Sequence, residues 1–114
     1  MGKKRKTKRF PEKPKSCYPL RQVGEKLSTN MVRIRGNALS SALKDFGWES
    51  ADIIDALKKL TPDHYDKTDP SEKKPGIMLD FYRAANIKGE NIYTHFYIDD
   101  QTGFLIINSF KEWS

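Results

Sequence analysis

Two stretches near the C-terminus alternate apolar and polar side chains with a period of two, which favours β-strands over helices. They cover Asn91–Ile98 and Phe104–Lys111, and residues 99–103 separate them. The separating segment ends in Gly103, and a short glycine-containing loop of this kind is typical of a β-hairpin. The sequence therefore predicts an antiparallel hairpin at the end of the chain.

The hydrophobic pattern of this hairpin predicts its register, because a slip by one residue would place apolar side chains on both faces. We expect Ile98 to pair with Phe104 across the loop. One face, with Thr94 opposite Asn108, would then be apolar and suited to a core: Ile92, Phe96, Ile98, Phe104, Ile106 and Phe110. The other face would carry Tyr93, His95, Tyr97, Leu105, Ile107, Ser109 and Lys111.

Three earlier segments have apolar residues at helical spacing. They predict helices from Pro19 to Leu27, from Ala38 to Phe46 and from Ala51 to Leu60. Gly47 is placed to end the second helix in the left-handed conformation, and Ser50 to cap the third. Their apolar faces would be Leu20, Val23 and Leu27; Leu39, Ala42, Leu43 and Phe46; and Ile53, Ile54, Leu57 and Leu60.

Two further strands are predicted, at Met31–Ile34 and Ile77–Arg83. Residues 66–76 contain two prolines and a glycine among charged residues, which indicates a loop, and Ala84–Gly89 would connect two strands. Helices followed by strands are typical of the α+β class. We therefore predict two or three helices packed on one face of a small, mainly antiparallel sheet.

The net positive charge of the chain lies in its first fifteen residues. Residues 1–15 carry eight basic side chains against one acidic, whereas the remaining 99 residues carry thirteen basic and fourteen acidic ones. We expect a flexible tail over 1–15 and a single domain over 16–114. A run of like charge binds phosphate backbones, although a solubilising tail or a contact to an acidic protein stays possible. The predicted RNA-binding residues are Lys3, Lys4, Arg5, Lys6, Lys8 and Arg9, with Lys73 and Lys74 in the predicted loop.

Several function classes are excluded by the sequence. No stretch is long and apolar enough to span a bilayer or to act as a secretory signal, so we expect a soluble cytoplasmic protein without a membrane partner. The single cysteine, Cys17, predicts neither an internal disulfide nor a zinc site, and its thiol is expected to be inert. No phosphate loop, Ser-His-Asp pattern or metal-ligand spacing is present, so no metal or cofactor is predicted.

The polar face of the predicted hairpin groups proton-carrying side chains near one end of the sheet: Tyr93, His95, Ser109 and Lys111. Such a cluster suits RNA cleavage, in which the ribose 2′-hydroxyl attacks the adjacent phosphorus with a base, an acid and positive charge nearby. From its residue type alone, His95 is expected to titrate near neutral pH, and a lysine binds phosphate. A half-solvated sheet face without any function has the same composition, and residue types alone favour that structural interpretation.

The order of elements and several motifs resemble the MqsR family of bacterial toxins over residues 13–112. The more specific matches are the Asp-Phe-Tyr-Arg segment at 80–83 and the Ser-Phe-Lys-Glu segment at 109–112, besides the Arg-x-Arg stretch at 33–35. The resemblance implies a small α+β fold similar to the RelE-like toxins. It also implies cleavage of messenger RNA without a metal ion, and a cognate antitoxin protein that neutralises the toxin.

The resemblance also implies which residues act: a lysine after the helices, a glutamine in the Asp-x-Tyr-Arg strand, a tyrosine in the next strand and the lysine of the terminal motif. Tyr93 and Lys111 match the last two, and Lys67 approximates the first with one extra residue intervening. Leu79 occupies the glutamine position, and His95 stands where a lysine is usual.

We therefore predict a metal-independent endoribonuclease toxin. Tyr93 and His95 are the candidates for proton transfer, while Lys111, Lys67 and Arg83 would hold the phosphate. One alternative is a non-catalytic RNA-binding module in which Tyr93 and Tyr97 stack bases. Another is a protein-interaction domain that docks a partner on its exposed sheet face. The sequence does not predict the oligomeric state.

Overall fold

Apart from the short strand Val32–Ile34, the helices precede the strands in the computed structural model, which describes residues 15–113. The elements are α1 (Leu20–Ser28), β1 (Val32–Ile34), α2 (Gly36–Phe46), α3 (Ser50–Leu57), a short 3-10 turn (Pro62–His64), β2 (Tyr65–Pro70), β3 (Met78–Ile87), β4 (Glu90–Ile98) and β5 (Leu105–Glu112). The predicted α+β class is confirmed. None of the helices within the described range has the length and apolar character needed to cross a membrane.

The five strands form one sheet in the order β1-β5-β4-β3-β2. β2 to β5 pair antiparallel with their neighbours, as short connections allow. β1 pairs parallel with β5, and α2, α3 and the other strands lie between them in the chain. The sheet is therefore mainly antiparallel, and the predicted C-terminal hairpin is its β4-β5 pair.

All three helices cover the same face of the sheet, which we call the helix face. Their buried residues join one core cluster with the sheet residues Tyr82, Ala84, Ile87, Ile92, Phe96, Ile98, Leu105, Ile107 and Phe110. The opposite face, which we call the open face, carries a smaller buried cluster of Leu79, Tyr97 and Ile106. The predicted two-layer arrangement, with one covered and one polar face, is confirmed.

The predicted register of the hairpin is wrong by one residue next to its loop. Ile98 pairs with Leu105 rather than with Phe104, so Leu105 and Ile107 face the core and Ile106 faces the open side. A bulge at Asn108 on β5, opposite the step from His95 to Phe96 on β4, then shifts the register by a further residue. In the half of the hairpin away from the loop, this second shift restores the predicted alternation between the two faces. Phe110 is fully buried there, and Lys111 is exposed.

Two details of the helices also differ from the prediction. α2 buries the small residues Ala38 and Ala42 against the sheet, whereas Leu39 and Leu43 are 37% and 60% exposed. Small side chains let the helix approach β5 closely, which turns the larger leucines away from the contact. α3 begins at Ser50 instead of being capped by it, and the Asp52 carboxylate accepts a hydrogen bond from the preceding backbone N–H of residue 49 at 3.0 Å.

The loop predicted for 66–76 is wrong in its first half. Tyr65–Pro70 forms the edge strand β2, paired antiparallel with β3 and irregular between Tyr65 and Lys67. A proline is tolerated at the end of an edge strand because no neighbour needs its N–H. Residues 71–76 form the loop that remains, and it leads into β3.

A buried carboxylate fastens the start of the domain to β3. The Asp80 side chain is fully buried on the helix face and accepts hydrogen bonds from the backbone N–H groups of Cys17 at 3.0 Å and Tyr18 at 2.8 Å. Its Oδ1 also accepts the hydroxyl of Thr68 at 2.6 Å, which joins β2 to the same network. Partial burial and the Asp80 carboxylate raise the pKa of the Cys17 thiol, in line with the low reactivity expected of it.

Candidate functional site

Cross-strand pairing on the open face brings the five predicted site residues into two adjacent rows. The first row runs across β2 to β5 through Lys67, Phe81, His95 and Ser109. The second row runs across β3 to β5 through Arg83, Tyr93 and Lys111. Residues that are directly opposite in an antiparallel pair point to the same face, so these side chains form one cluster. We call this set of seven residues the open-face cluster.

Phe81 lies at the centre of the open-face cluster, and it is not among the site residues predicted from the sequence. Its ring centroid lies 4.3 Å from that of His95 and 5.9 Å from that of Tyr93, and the Lys67 Nζ lies 5.0 Å from it. An aromatic ring between polar groups limits their rotamers and their hydration. The sequence could have indicated Phe81, because it lies two residues before Arg83 in the same predicted strand. Residues i and i+2 of a strand lie on the same face.

The two cations at the rim of the cluster are partly neutralised. The Lys67 ammonium lies 3.0 Å from the Asp69 carboxylate, which raises the lysine pKa. The Arg83 guanidinium lies 3.8 Å from the Asp66 carboxylate and also stacks near the rings of Tyr93 and Trp113, at 5.4 and 5.3 Å. Exposed pairs of this kind are weak, so an anionic ligand can displace the carboxylates.

Lys111 differs from these two cations. It is exposed, lies directly opposite Tyr93, and has no ion pair with any residue between 15 and 113. Its charge is therefore available to a ligand on the open face.

His95 is uncharged at neutral pH. Burial, together with the positive charges of Lys111 and Lys67, lowers the pKa of its imidazole to about 4. The side-chain amide of Asn108, at the bulge of β5, lies 3.2 Å from Nδ1. When Asn108 Nδ2 donates this hydrogen bond, the proton of the neutral ring is on Nε2. The cluster thus holds a neutral imidazole between two lysines.

The low pKa of His95 predicts a loss of stability in acid. Below pH 6.5 the unfolded chain binds a proton at this position, whereas the folded chain does not until about pH 4. The free energy of unfolding should therefore fall as the pH decreases through this window, by about 2 kcal/mol at pH 4.5. Urea unfolding of the wild type and of His95→Gln at pH 7.0 and 4.5 measures the difference, and the carboxylates common to both proteins cancel. If the free energy of unfolding changed by the same amount between pH 7.0 and 4.5 in both proteins, the low pKa of His95 would be contradicted.

A cleft of about 430 Å³ adjoins the first row of the cluster. Loop 71–76 forms one wall, with Lys73 and Lys74, and the floor includes Leu79 and Tyr97. Leu79 is 5% exposed, so an apolar side chain occupies the position where the resemblance implies a glutamine. Tyr97 is also 5% exposed, so little of its ring is available for the base stacking assigned to it in the alternative RNA-binding module.

The remaining predicted residues lie elsewhere. The six basic residues of the tail, Lys3, Lys4, Arg5, Lys6, Lys8 and Arg9, fall outside the described residues. Within the described range, His, Cys, Asp and Glu do not gather in threes as a metal site requires. Asp52 and Asp55 form a solvated face of α3, and both pair with Lys88 at 3.3–3.4 Å.

Comparison with protein-family models identifies the family of this chain. A family model described as "Motility quorum-sensing regulator, toxin of MqsA" matches residues 15–112. The chain belongs to the MqsR toxin family. A search of curated proteins gives no match.

Membership in the MqsR family makes this chain a toxin of a toxin–antitoxin system, and its family partner is the antitoxin MqsA. The matched range contains α1 to α3, all five strands and the open-face cluster. The resemblance drawn from the terminal Ser-Phe-Lys-Glu and the Asp-Phe-Tyr-Arg segment is therefore confirmed.

Proposed function

We propose that this MqsR family toxin is a metal-independent endoribonuclease that cleaves messenger RNA in the cytoplasm and is neutralised by its cognate antitoxin. The observation that supports the proposal best is the open-face cluster. Tyr93, His95 and Lys111 share one uncovered face, where a strand of RNA has access. An imidazole, a phenol and an unpaired ammonium are the groups that cleavage by the ribose 2′-hydroxyl requires.

The first proton transfer is assigned to His95. Its imidazole is neutral at physiological pH because its pKa is about 4, so it can accept the proton of the 2′-hydroxyl as that oxygen attacks phosphorus. A P–O2′ bond forms while the P–O5′ bond breaks. Burial is the main cause of the low pKa of His95, and the two lysines lower it further. Phosphate charge between Lys67 and Lys111 offsets the contribution of the lysines, which makes His95 a stronger base when substrate is bound.

The second proton transfer is assigned to Tyr93. Its hydroxyl donates a proton to the departing O5′, which leaves a 2′,3′-cyclic phosphate on one product and a 5′-hydroxyl on the other. The Lys111 ammonium, directly opposite Tyr93, faces the charge that develops on the phosphoryl oxygens. Lys67 and Arg83 hold the same phosphate from the other strands. Tyr93 then takes up a proton from solvent, and His95 releases the proton that it accepted, which restores the starting state of both groups.

Basic residues outside the cluster supply affinity that does not depend on sequence. The tail of residues 1–15 carries most of this charge, and Lys73 and Lys74 lie on the exposed wall of the cleft. Contacts of this kind bind phosphates by counterion release and weaken as salt increases.

Cleavage of a labelled RNA by the purified full-length chain tests the proposal. We expect cleavage in the presence of EDTA, with 2′,3′-cyclic phosphate and 5′-hydroxyl ends, and no cleavage of the matched 2′-O-methyl RNA, which lacks the attacking hydroxyl. Mapping of transcript ends after induced expression measures the same activity in cells. Binding of RNA without cleavage would instead support a non-catalytic RNA-binding module. Absence of any RNA affinity would support a protein-interaction domain.

A further inference from the structure

A groove continues from the cleft across the open face towards the β1 edge of the sheet. It consists of the 430 Å³ cleft and a second depression of about 680 Å³, and both are bordered by Arg35, Lys74 and Tyr97. Because they share these three residues, the two depressions are adjacent. The groove thus begins beside His95 and ends at Arg33, and we call it the arginine groove.

The Arg-x-Arg stretch forms one wall of the arginine groove. Arg33 pairs with Ile106, which faces the open side, and Arg35 follows two residues later on the same face. Both side chains are exposed, and neither forms an ion pair within residues 15–113. The Arg35 backbone N–H donates to the Ile107 carbonyl at 3.1 Å, which fixes the backbone beneath these two guanidinium groups.

The floor of the groove is apolar, and its opposite wall carries a further positive charge. Leu79, Tyr97 and Ile106 are at most 9% exposed and form an apolar base. Lys74 faces the groove from loop 71–76. The guanidinium carbon of Arg33 lies 4.8 Å from the centre of the Phe104 ring, so the two side chains form a stacked unit at the far end.

The length of the groove suits a short single strand. His95 and Arg33 are separated by two strand spacings and two residues along the strands, or about 12 Å. Stacked nucleotides repeat every ~3.4 Å along a strand, so this length holds about three nucleotides. Unpaired bases stack on aromatic rings and on guanidinium planes, and both are present at Arg33 and Phe104.

We propose that the arginine groove binds the nucleotides of single-stranded RNA that flank the cleaved phosphate. Arg33 and Arg35 bind two backbone phosphates, and the Arg33–Phe104 unit stacks one base. This inference rests on the proposed endoribonuclease activity, which it extends from the reacting phosphate to the neighbouring nucleotides. It makes Arg33 and Arg35 positioning residues that determine where along a strand the cluster acts.

Binding of an uncleavable strand tests the groove without requiring catalysis. The probe is a fluorescent 2′-O-methyl octanucleotide, and anisotropy gives its Kd as a function of salt. We expect Arg33→Gln/Arg35→Gln to weaken binding at least tenfold at low salt. The slope of log Kd against log salt should fall by about 1.4, since each phosphate contact of a single strand contributes about 0.7. The control Arg21→Gln/Lys58→Gln removes the same charge from exposed positions in α1 and directly after α3, and it should change Kd less than threefold.

Two further measurements separate this role from a general loss of charge. Arg33→Lys/Arg35→Lys should restore the salt slope, because it restores both charges, but recover only part of the affinity, because it removes the planar stacking group. On a cleavable octanucleotide, the glutamine variant should raise KM at least fivefold and leave kcat within twofold. Circular dichroism of each variant verifies that the sheet is retained.

The possible failures are distinguishable. A wild-type chain that neither binds nor cleaves RNA would overturn the proposed function and the groove together. A wild type that cleaves RNA, with Arg33→Gln/Arg35→Gln equal to the Arg21→Gln/Lys58→Gln control, would overturn the groove alone. A third outcome is that Arg33→Gln/Arg35→Gln weakens the binding of a polyglutamate peptide of the same charge as strongly as it weakens the binding of RNA. That result would show a site for anions in general and would also overturn the assignment to RNA.

Discussion

Replacing Lys111 by alanine is expected to slow RNA cleavage about 30- to 1000-fold, which corresponds to a loss of about 2–4 kcal/mol of transition-state stabilisation. Lys111 has no ion pair within the described chain and faces the open side beside Tyr93 and His95. Negative charge develops on the phosphoryl oxygens as the 2′-oxygen attacks. Among the lysines and the arginine of the open-face cluster, Lys111 is the one without a carboxylate partner in residues 15–113. The effect should therefore appear mainly in kcat, measured under saturating RNA.

The control for this experiment is Lys44→Ala, which removes an exposed lysine from the last turn of α2, on the opposite side of the sheet. It should cleave within twofold of the wild type. Lys111 is itself exposed, so its replacement should leave the free energy of unfolding within about 0.5 kcal/mol. Unchanged kcat in Lys111→Ala would remove this residue from the mechanism, and a rise in KM alone would reduce its role to substrate binding.

The predicted hairpin shows what a hydrophobic pattern can determine. Alternation correctly placed Tyr93, His95, Ser109 and Lys111 on one face, and it correctly placed Ile92, Phe96 and Phe110 on the other. It misplaced the residues next to the loop, because Leu105, Ile106 and Ile107 are all apolar and fit either face equally well. The register of such a run depends on the loop and the bulge, which a pattern of residue types does not specify.

The edge strand β2 could not be predicted for a related reason. Its residues Asp66, Lys67, Asp69 and Pro70 have low strand propensity, and they are ordered by pairing with β3, which supplies the hydrogen bonds. Tertiary contact therefore overrode local preference. This strand matters for the site because it carries Lys67 into the open-face cluster.

The candidate site was predictable in its proton-carrying groups but not in what surrounds them. Phe81 and Asn108 contact His95 from a neighbouring strand and from the bulge, and both contacts depend on pairing rather than on sequence distance. The low pKa of His95 likewise arises from burial and from lysines 28 and 16 positions away in the chain. The environment of a group, unlike its identity, requires the assembled sheet.

The largest change in the free energy of unfolding is predicted for replacement of Asp80, whose carboxylate is buried. Asp80→Asn is expected to lower the free energy of unfolding by about 3 kcal/mol, because hydrogen bonds to a charged group contribute about 1.5–3 kcal/mol each. The carboxylate accepts from Cys17, Tyr18 and Thr68. An asparagine amide has one accepting oxygen, and its NH₂ would face a backbone N–H that is left without a partner. Urea unfolding at pH 7 measures the change, and Tm should fall by about 10–20 °C.

Asp45→Asn is the matched control, since the Asp45 carboxylate also accepts a backbone N–H, from Glu112 at 2.9 Å, but at an exposed position. It should cost under about 1 kcal/mol. Hydrogen exchange provides a local readout: in Asp80→Asn the Cys17 and Tyr18 amides should exchange faster, together with the amides of β2, because Thr68 joins that strand to the carboxylate. A loss below 1 kcal/mol with unchanged exchange would contradict the role of Asp80. If β2 does loosen, Lys67 moves with it, so this buried group on the helix face also fixes one cation of the open-face cluster.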